Sequence, residues 1–140
     1  VIDPSAVDAA LDRVVDPCSN ALGEPLGLRE MGLASSVEID DVHGDVHVTM
    51  RLTSPCCAYG PAMAVAAERE IGGVAGVRRA TVVIDHAAVW TPTEITAPAT
   101  LRLAGRRRHT IEVTGVVPYD WTTRSRASEP LRPSTPGGTS

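Results

Sequence analysis

Residues 46–85, VHVTMRLTSPCCAYGPAMAVAAEREIGGVAGVRRATVVID, decide the fold. Val46, Val48, Met50 and Leu52 alternate with polar neighbours, the period of a strand buried on one face, taken to end at Thr53. Pro61 then opens a helical stretch running through Ile71, with Met63, Ala64, Ala67 and Ile71 on one face, and Gly72-Gly73 ends it. Ala80 to Asp85 reads as another strand, rich in β-branched residues. A strand, a helix of this length and a second strand imply a right-handed crossover, so the two strands run parallel.

Working outward, Val37 to Asp40 alternates like a strand, and Asp41 to Gly44 supplies turn chemistry before Val46. Those two strands form an antiparallel hairpin. Further upstream, Asp3 followed by Pro4 is a helix start. Val7, Ala10, Leu11, Val14 and Val15 recur at helical spacing, and that helix stops before Pro17. Residues 17–32 read as a loop with one helical turn. The order is α-β-β-α-β: an α+β fold, a two-layer sandwich with helices on one face of a small mixed sheet.

Downstream, Thr100–Leu103 and Thr110–Val113 read as an extra hairpin, with Arg106, Arg107 and Arg108 in its solvated turn. From about Thr122 the chain is rich in Ser, Thr, Pro, Gly and Arg without periodicity. The expected division is a domain over 1–98, a hairpin extension over 99–121 and a disordered tail over 122–140.

A chain of 140 residues with no Phe, two Trp and two Tyr has room for one modest core of Val, Ala, Leu and Ile. Residues 1–100 hold fourteen Asp/Glu against six Arg, a balance of −8, whereas residues 101–140 hold three against seven, a balance of +4. An acidic body argues against nucleic-acid binding, which needs clustered positive charge. No stretch approaches the length of a membrane span. The N-terminal stretch has neither the basic start nor the apolar run of a secretory signal. Three cysteines, an odd number, do not make a secreted disulfide framework. The expectation is a cytoplasmic protein with reduced thiols and neither nucleic acid nor membrane as partner.

The topology gathers unusual residues at one edge of the sheet. The loop after Asp16 and Cys18, the end of the central strand at Thr53, the adjacent Cys56 and Cys57, and Asp85 with His86 all arrive there. Sites in such crossovers lie outside the carboxyl ends of strands. A bond between adjacent Cys56 and Cys57 is disfavoured, because consecutive Cα atoms are about 3.8 Å apart and disulfides usually need roughly 4.4–6.8 Å. A closed zinc site would need ligands from separate loops, and the chain has no CxxC pair. His43 and His47 lie by the hairpin turn at the opposite end and read as exposed side chains. No GxSxG occurs, so no hydrolase triad assembles. A buried apolar thiol, a reactive thiol near a helix start and a metal ligand all stay open.

Several separated motifs resemble one family. They are Asp16-Pro17-Cys18, Glu30-Met31-Gly32-Leu33-Ala34, Thr53-Ser54-Pro55-Cys56-Cys57, Ala75-Gly76-Val77 and Val89-Trp90-Thr91-Pro92. In this order, from Leu11 to Ile95, they resemble the small iron–sulfur assembly domain of the Suf-pathway accessory protein, the phenylacetate-degradation accessory protein and the cytosolic iron–sulfur targeting factor. Cys57 falls on the family's cysteine, Cys56 replaces its glycine, and Cys18 replaces the acidic residue that usually follows Asp-Pro.

The resemblance implies a non-enzymatic accessory factor that helps iron–sulfur clusters or iron reach recipient metalloproteins. Cys57 would be the principal ligand or transfer thiol, with Cys56 a second sulfur and Cys18 a further one. Asp16 and Thr53 would shape the site, and Asp85 and His86 join them from the topology. Three cysteines fall short of the four thiolates that usually hold a cluster. The expected cargo is therefore labile, and partners would be recipients, assembly machinery or a second copy in a homodimer. Two alternatives remain: a maturation scaffold for one iron-dependent oxygenase, and a thiol redox protein.

Overall fold

The Asp3 carboxylate accepts the Ser5 N–H at 2.9 Å and caps α1 (Pro4–Arg13) in a computed structural model that describes residues 1–21, 23–54 and 56–115. Pro4 occupies the first turn, where its missing N–H costs nothing. Val7, Ala10 and Leu11 form the buried stripe of this helix. A short α2 (Pro17–Ala21) follows, then β1 (Ala34–Asp40), β2 (Asp45–Met50), α3 (Gly60–Gly72) and β3 (Arg79–Ile84). A 3₁₀ turn at Pro92–Glu94 leads into α4 (Ala97–Thr114). Residues Val1–Arg107 form one compact unit, which holds the sheet, its packed helices and the cavity described below.

The sheet order is β1-β2-β3. β1 pairs antiparallel with β2, placing Val37 opposite Val48 and Ile39 opposite Val46. β3 pairs with β2 in parallel, with Ala80, Val82 and Ile84 opposite Val46, Val48 and Met50. One sheet face is thus apolar and buried, and Glu38, His47 and Val83 on the other face are exposed. Val7, Leu11, Met63, Ala67 and Ile71 from α1 and α3 join the buried face in a single core. The Arg13–Glu70 ion pair at 2.6 Å ties the two helices at the surface. The α+β sandwich and its mixed sheet are those the alternation pattern implied.

Beyond β3 the structure corrects the sequence reading. Residues 100–103 and 110–113 are not hairpin strands but belong to α4, and Arg106–Arg108 lie in that helix rather than in a turn. The physical reason lies in spacing and composition. Leu101 and Leu103 alternate as in a strand, but Ala99 and Leu103 are also four apart. Ala99 is fully buried and Leu103 packs against the core. Leu, Ala and Arg are strong helix formers, and the helix satisfies that face together with its own backbone. β2 also stops at Met50 rather than at Thr53, and the Arg51 N–H still bonds the Leu33 carbonyl at 2.8 Å just beyond the paired strands. The expected tail over 122–140, and the extension beyond residue 115, lie outside the described residues.

Leu11 is completely buried, so Leu11→Ala should cost about 2–5 kcal/mol in urea unfolding. Val83→Ala on the exposed face should stay within about 0.5 kcal/mol. In the β1–β2 turn, His43 Nδ1 lies 2.7 Å from Asp40 Oδ2. That hydrogen bond first, and the carboxylate charge second, raise His43 above the usual 6.5, while the same bond lowers Asp40 below 3.8. The raised imidazole contributes fully below 6.5 and loses its contribution as pH rises through the higher folded value. The lowered carboxyl contributes above 3.8 and loses it as pH falls through the lower one. An NMR titration should find His43 above the free-imidazole value, and Asp40→Asn should bring it down.

Candidate functional site

Asp16 is 2 % exposed, an unusual state for a carboxylate. It holds the start of α2: Asp16 Oδ2 accepts the Ser19 N–H at 2.8 Å, and its backbone carbonyl accepts from Asn20 N at 3.1 Å and Ser19 Oγ at 2.8 Å. The Asp16 N–H donates to the Leu26 carbonyl, and Leu26 N–H returns a bond to Ser19 Oγ at 3.0 Å. The Asp-Pro-Cys-Ser run is therefore a closed knot that holds the carboxylate and fixes the backbone on either side of Cys18.

That knot forms one wall of a cavity of about 290 Å³, to which Asp16, Cys18 and Thr53 all contribute. Leu26 and Met31 line the same side, and Trp90, Ile95 and Leu103 complete it. The Trp90 indole N–H donates to the Met31 carbonyl at 2.6 Å, which fixes the ring against the cavity. Arg51 runs below, donating from Nε to the Gly32 carbonyl at 2.9 Å and pairing with Glu94 at 3.1 Å. Gly32, at φ +70°, lets the backbone pass against the Glu94 carbonyl, where a Cβ would collide. Glu30 also faces this region. Burial pushes its carboxyl up, but the Gly27 N–H and the Arg102 guanidinium outweigh burial and hold it below the usual 4.5.

The remaining expected residues occupy different surroundings. Cys57 is half-buried against the core. Its turn is fixed by Cys57 N–H to the Ser54 carbonyl at 3.1 Å and Gly60 N–H to the Cys57 carbonyl at 3.3 Å. Gly60 packs so close to Leu52 that a Cβ would stand 2.9 Å from Leu52 Cδ2, so α3 begins directly against the strand end. Cys56 and Cys18 are exposed. Asp85 and His86 are exposed as well, although the Asp85 N–H bonds the Met50 carbonyl at 2.8 Å and so joins the ends of β2 and β3. None of Cys56, Cys57, Asp85 and His86 is in the cavity lining. Among the described residues no three His, Cys, Asp or Glu side chains come close enough together to hold a metal ion. His43 and His47 are exposed at the far end, as expected. A resident metal therefore does not fit these donors.

The sequence brings Asp16, Cys18 and Thr53 to one sheet edge, and all three line this cavity, but it does not show the cavity's apolar half. Leu26, Met31, Ile95 and Leu103 carry no chemical signature. Trp90 and Met31 do stand in quoted motifs, Val89-Trp90-Thr91-Pro92 and Glu30-Met31-Gly32-Leu33-Ala34.

The sequence pattern of a family described as iron–sulfur cluster assembly protein matches residues 4–83. No curated protein matches the chain. Among solved structures, a domain of unknown function from Bacillus anthracis superposes with a TM-score of 0.61 at 22% identity, covering 71% of this chain and 90% of that one. A conserved hypothetical protein from Thermotoga maritima does so with a TM-score of 0.58 at 25% identity, covering 73% and 94%. Both share the fold. No helix among the described residues is long and apolar enough to cross a membrane.

The cap at Asp16 can be tested by substitution. Asp16→Ala removes the acceptor for the Ser19 N–H and should cost about 1–2 kcal/mol in chemical unfolding. Asp16→Asn keeps a side-chain oxygen and should recover most of that loss. Equal losses in the two variants would mean that the carboxylate charge, not the cap, is what the fold needs.

Proposed function

The chain belongs to the iron–sulfur cluster assembly protein family, and from that premise we propose that it is an accessory factor passing iron–sulfur clusters or iron to recipient proteins, with Cys57 as the working thiol. The observation that carries the reading is the setting of Cys57. It lies inside the matched span, half-buried on the core, in a turn fixed at both ends, with an exposed thiol at Cys56 beside it. A thiol held this way keeps a set position while its edge stays open to a partner.

The donor set determines the mode of action. With no three candidate ligands gathered among the described residues, the cluster is cargo, and the missing ligands come from a second copy, a recipient or the assembly machinery. Cys56 supplies a second sulfur at the same turn. Asp16, Cys18 and Thr53 shape the neighbouring cavity, where Cys18 adds a thiol at the rim, and Asp85 and His86 flank the joined strand ends. A second reading, a maturation adaptor working through protein contact, is favoured by the apolar residues Leu26, Met31, Trp90, Ile95 and Leu103 in that cavity. An adaptor of that kind would keep partner binding in Cys57→Ala.

Anaerobic reconstitution with ferrous iron and sulfide, followed by iron and sulfide analysis and a visible spectrum, tests the first reading. Wild type should show sulfur-to-iron charge-transfer bands that fade on desalting, and Cys57→Ala should lose most of them. Uptake by Cys57→Ala equal to wild type would overturn the role of Cys57. A monomer that kept a complete cluster through desalting would overturn the shared site.

A further inference from the structure

We propose that the first turns of α4, residues 97–106, are a strap over the cavity of Asp16, Cys18 and Thr53, latched by Arg102 and released when its ion pairs break. The inference rests on the reading of that cavity as part of the cluster-handling site, and it concerns how the site is opened.

Three observations carry it. The first is the origin of the cavity wall. Asp16, Cys18, Leu26, Met31 and Thr53 come from the span that matches the family pattern, whereas Trp90, Ile95 and Leu103 come from beyond residue 83. Leu103, from α4 itself, closes the cavity against residues of the α2 knot. The second is the latch. Arg102 Nη2 lies 2.8 Å from Glu30 Oε1, and Arg102 Nε lies 3.3 Å from Glu24 Oε1. One turn later the Arg106 guanidinium lies where a Cβ on Gly23 would be, at 2.5 Å from Nη2, so a second arginine rests on the same loop.

The third observation is the contrast in attachment along the chain. The approach to α4 is anchored: Arg51 holds Glu94, and Thr96 N–H donates to the Glu30 carbonyl at 3.0 Å. Past that anchor α4 buries only Ala99 completely. The Arg102 side chain is 43% exposed, and its ion pairs face solvent where salt screens them. A segment with few buried contacts and screened ion pairs is the kind that opens locally while the core stays closed. Opening withdraws Leu103 from the cavity and releases the Glu24 and Glu30 carboxylates from Arg102.

Hydrogen exchange by mass spectrometry on the metal-free full chain tests the strap. Arg102→Glu should speed exchange about three- to thirtyfold in peptides from 95–106 and 17–31, as expected from losing two surface ion pairs, and raising salt in wild type should move the same peptides. Peptides of β2 and α3 should not change. Arg107→Glu, with the same charge change on the same helix, should behave as wild type, and adding Glu24→Arg to Arg102→Glu should restore protection. Unchanged exchange in Arg102→Glu, or loosening that spreads to β2, would overturn the proposal. Because no metal is present, failure of the strap leaves the iron assay untouched. An Arg102→Glu chain that opens while wild type takes up no iron would keep the strap and refute the cluster-handling role.

Discussion

Val48 lies opposite Val82 in parallel register, and the arrangement of the thiol-bearing edge follows from that pairing. Parallel neighbours cannot be joined by a tight turn, so the chain must leave β2, cross as α3 and re-enter at the far end of β3. Both strands then finish at one edge, where the Asp85 N–H closes on the Met50 carbonyl. The turn that carries Cys56 and Cys57 is the first segment of that crossover. Gly60, pressed against Leu52, brings the helix start in without a gap. The thiols stand at this edge because the crossover has to begin there.

Around that edge the protein divides into a firm part and a lightly held one. The Asp16 knot, the strand ends and the Trp90–Met31 bond are packed against or next to a core whose central side chains are fully buried. Burying polar groups this tightly is tolerated because each finds a partner: among the described residues no buried side-chain nitrogen or oxygen lacks one. α4 contributes little to that core and is tied down through Arg102 instead. The accessory role proposed above, a thiol held in place that still admits a partner, is well served by such a division.

Much of this frame was legible in the amino-acid order. Asp3-Pro4 set the first helix, the Val46–Met50 alternation set the buried sheet face, and the Gly72-Gly73 pair ended α3 within a residue. Asp16, Cys18 and Thr53 could be brought together because topology alone carries their loops to one edge. The extra hairpin was misread because Leu103 fits two periods at once, with Leu101 as in a strand and with Ala99 as in a helix. Only the tertiary contact of Ala99 and Leu103 with the core decides between them. The apolar half of the cavity was hidden for a similar reason. Leu26, Met31, Ile95 and Leu103 come from separate segments and look, one by one, like ordinary core residues. The separation of Cys57 from the cavity lining was also unreadable, since it depends on how the turn after Thr53 folds back on the core.

The central claim is that Cys57 meets the cargo directly. Quantitative alkylation of all three cysteines, read by mass spectrometry with and without ferrous iron and sulfide under anaerobic conditions, tests it at the atom concerned. The account predicts that Cys57 becomes protected as iron and sulfide are taken up and is alkylated again once a chelator removes them. Cys57 alkylated at the same rate in the loaded and the empty protein would contradict it.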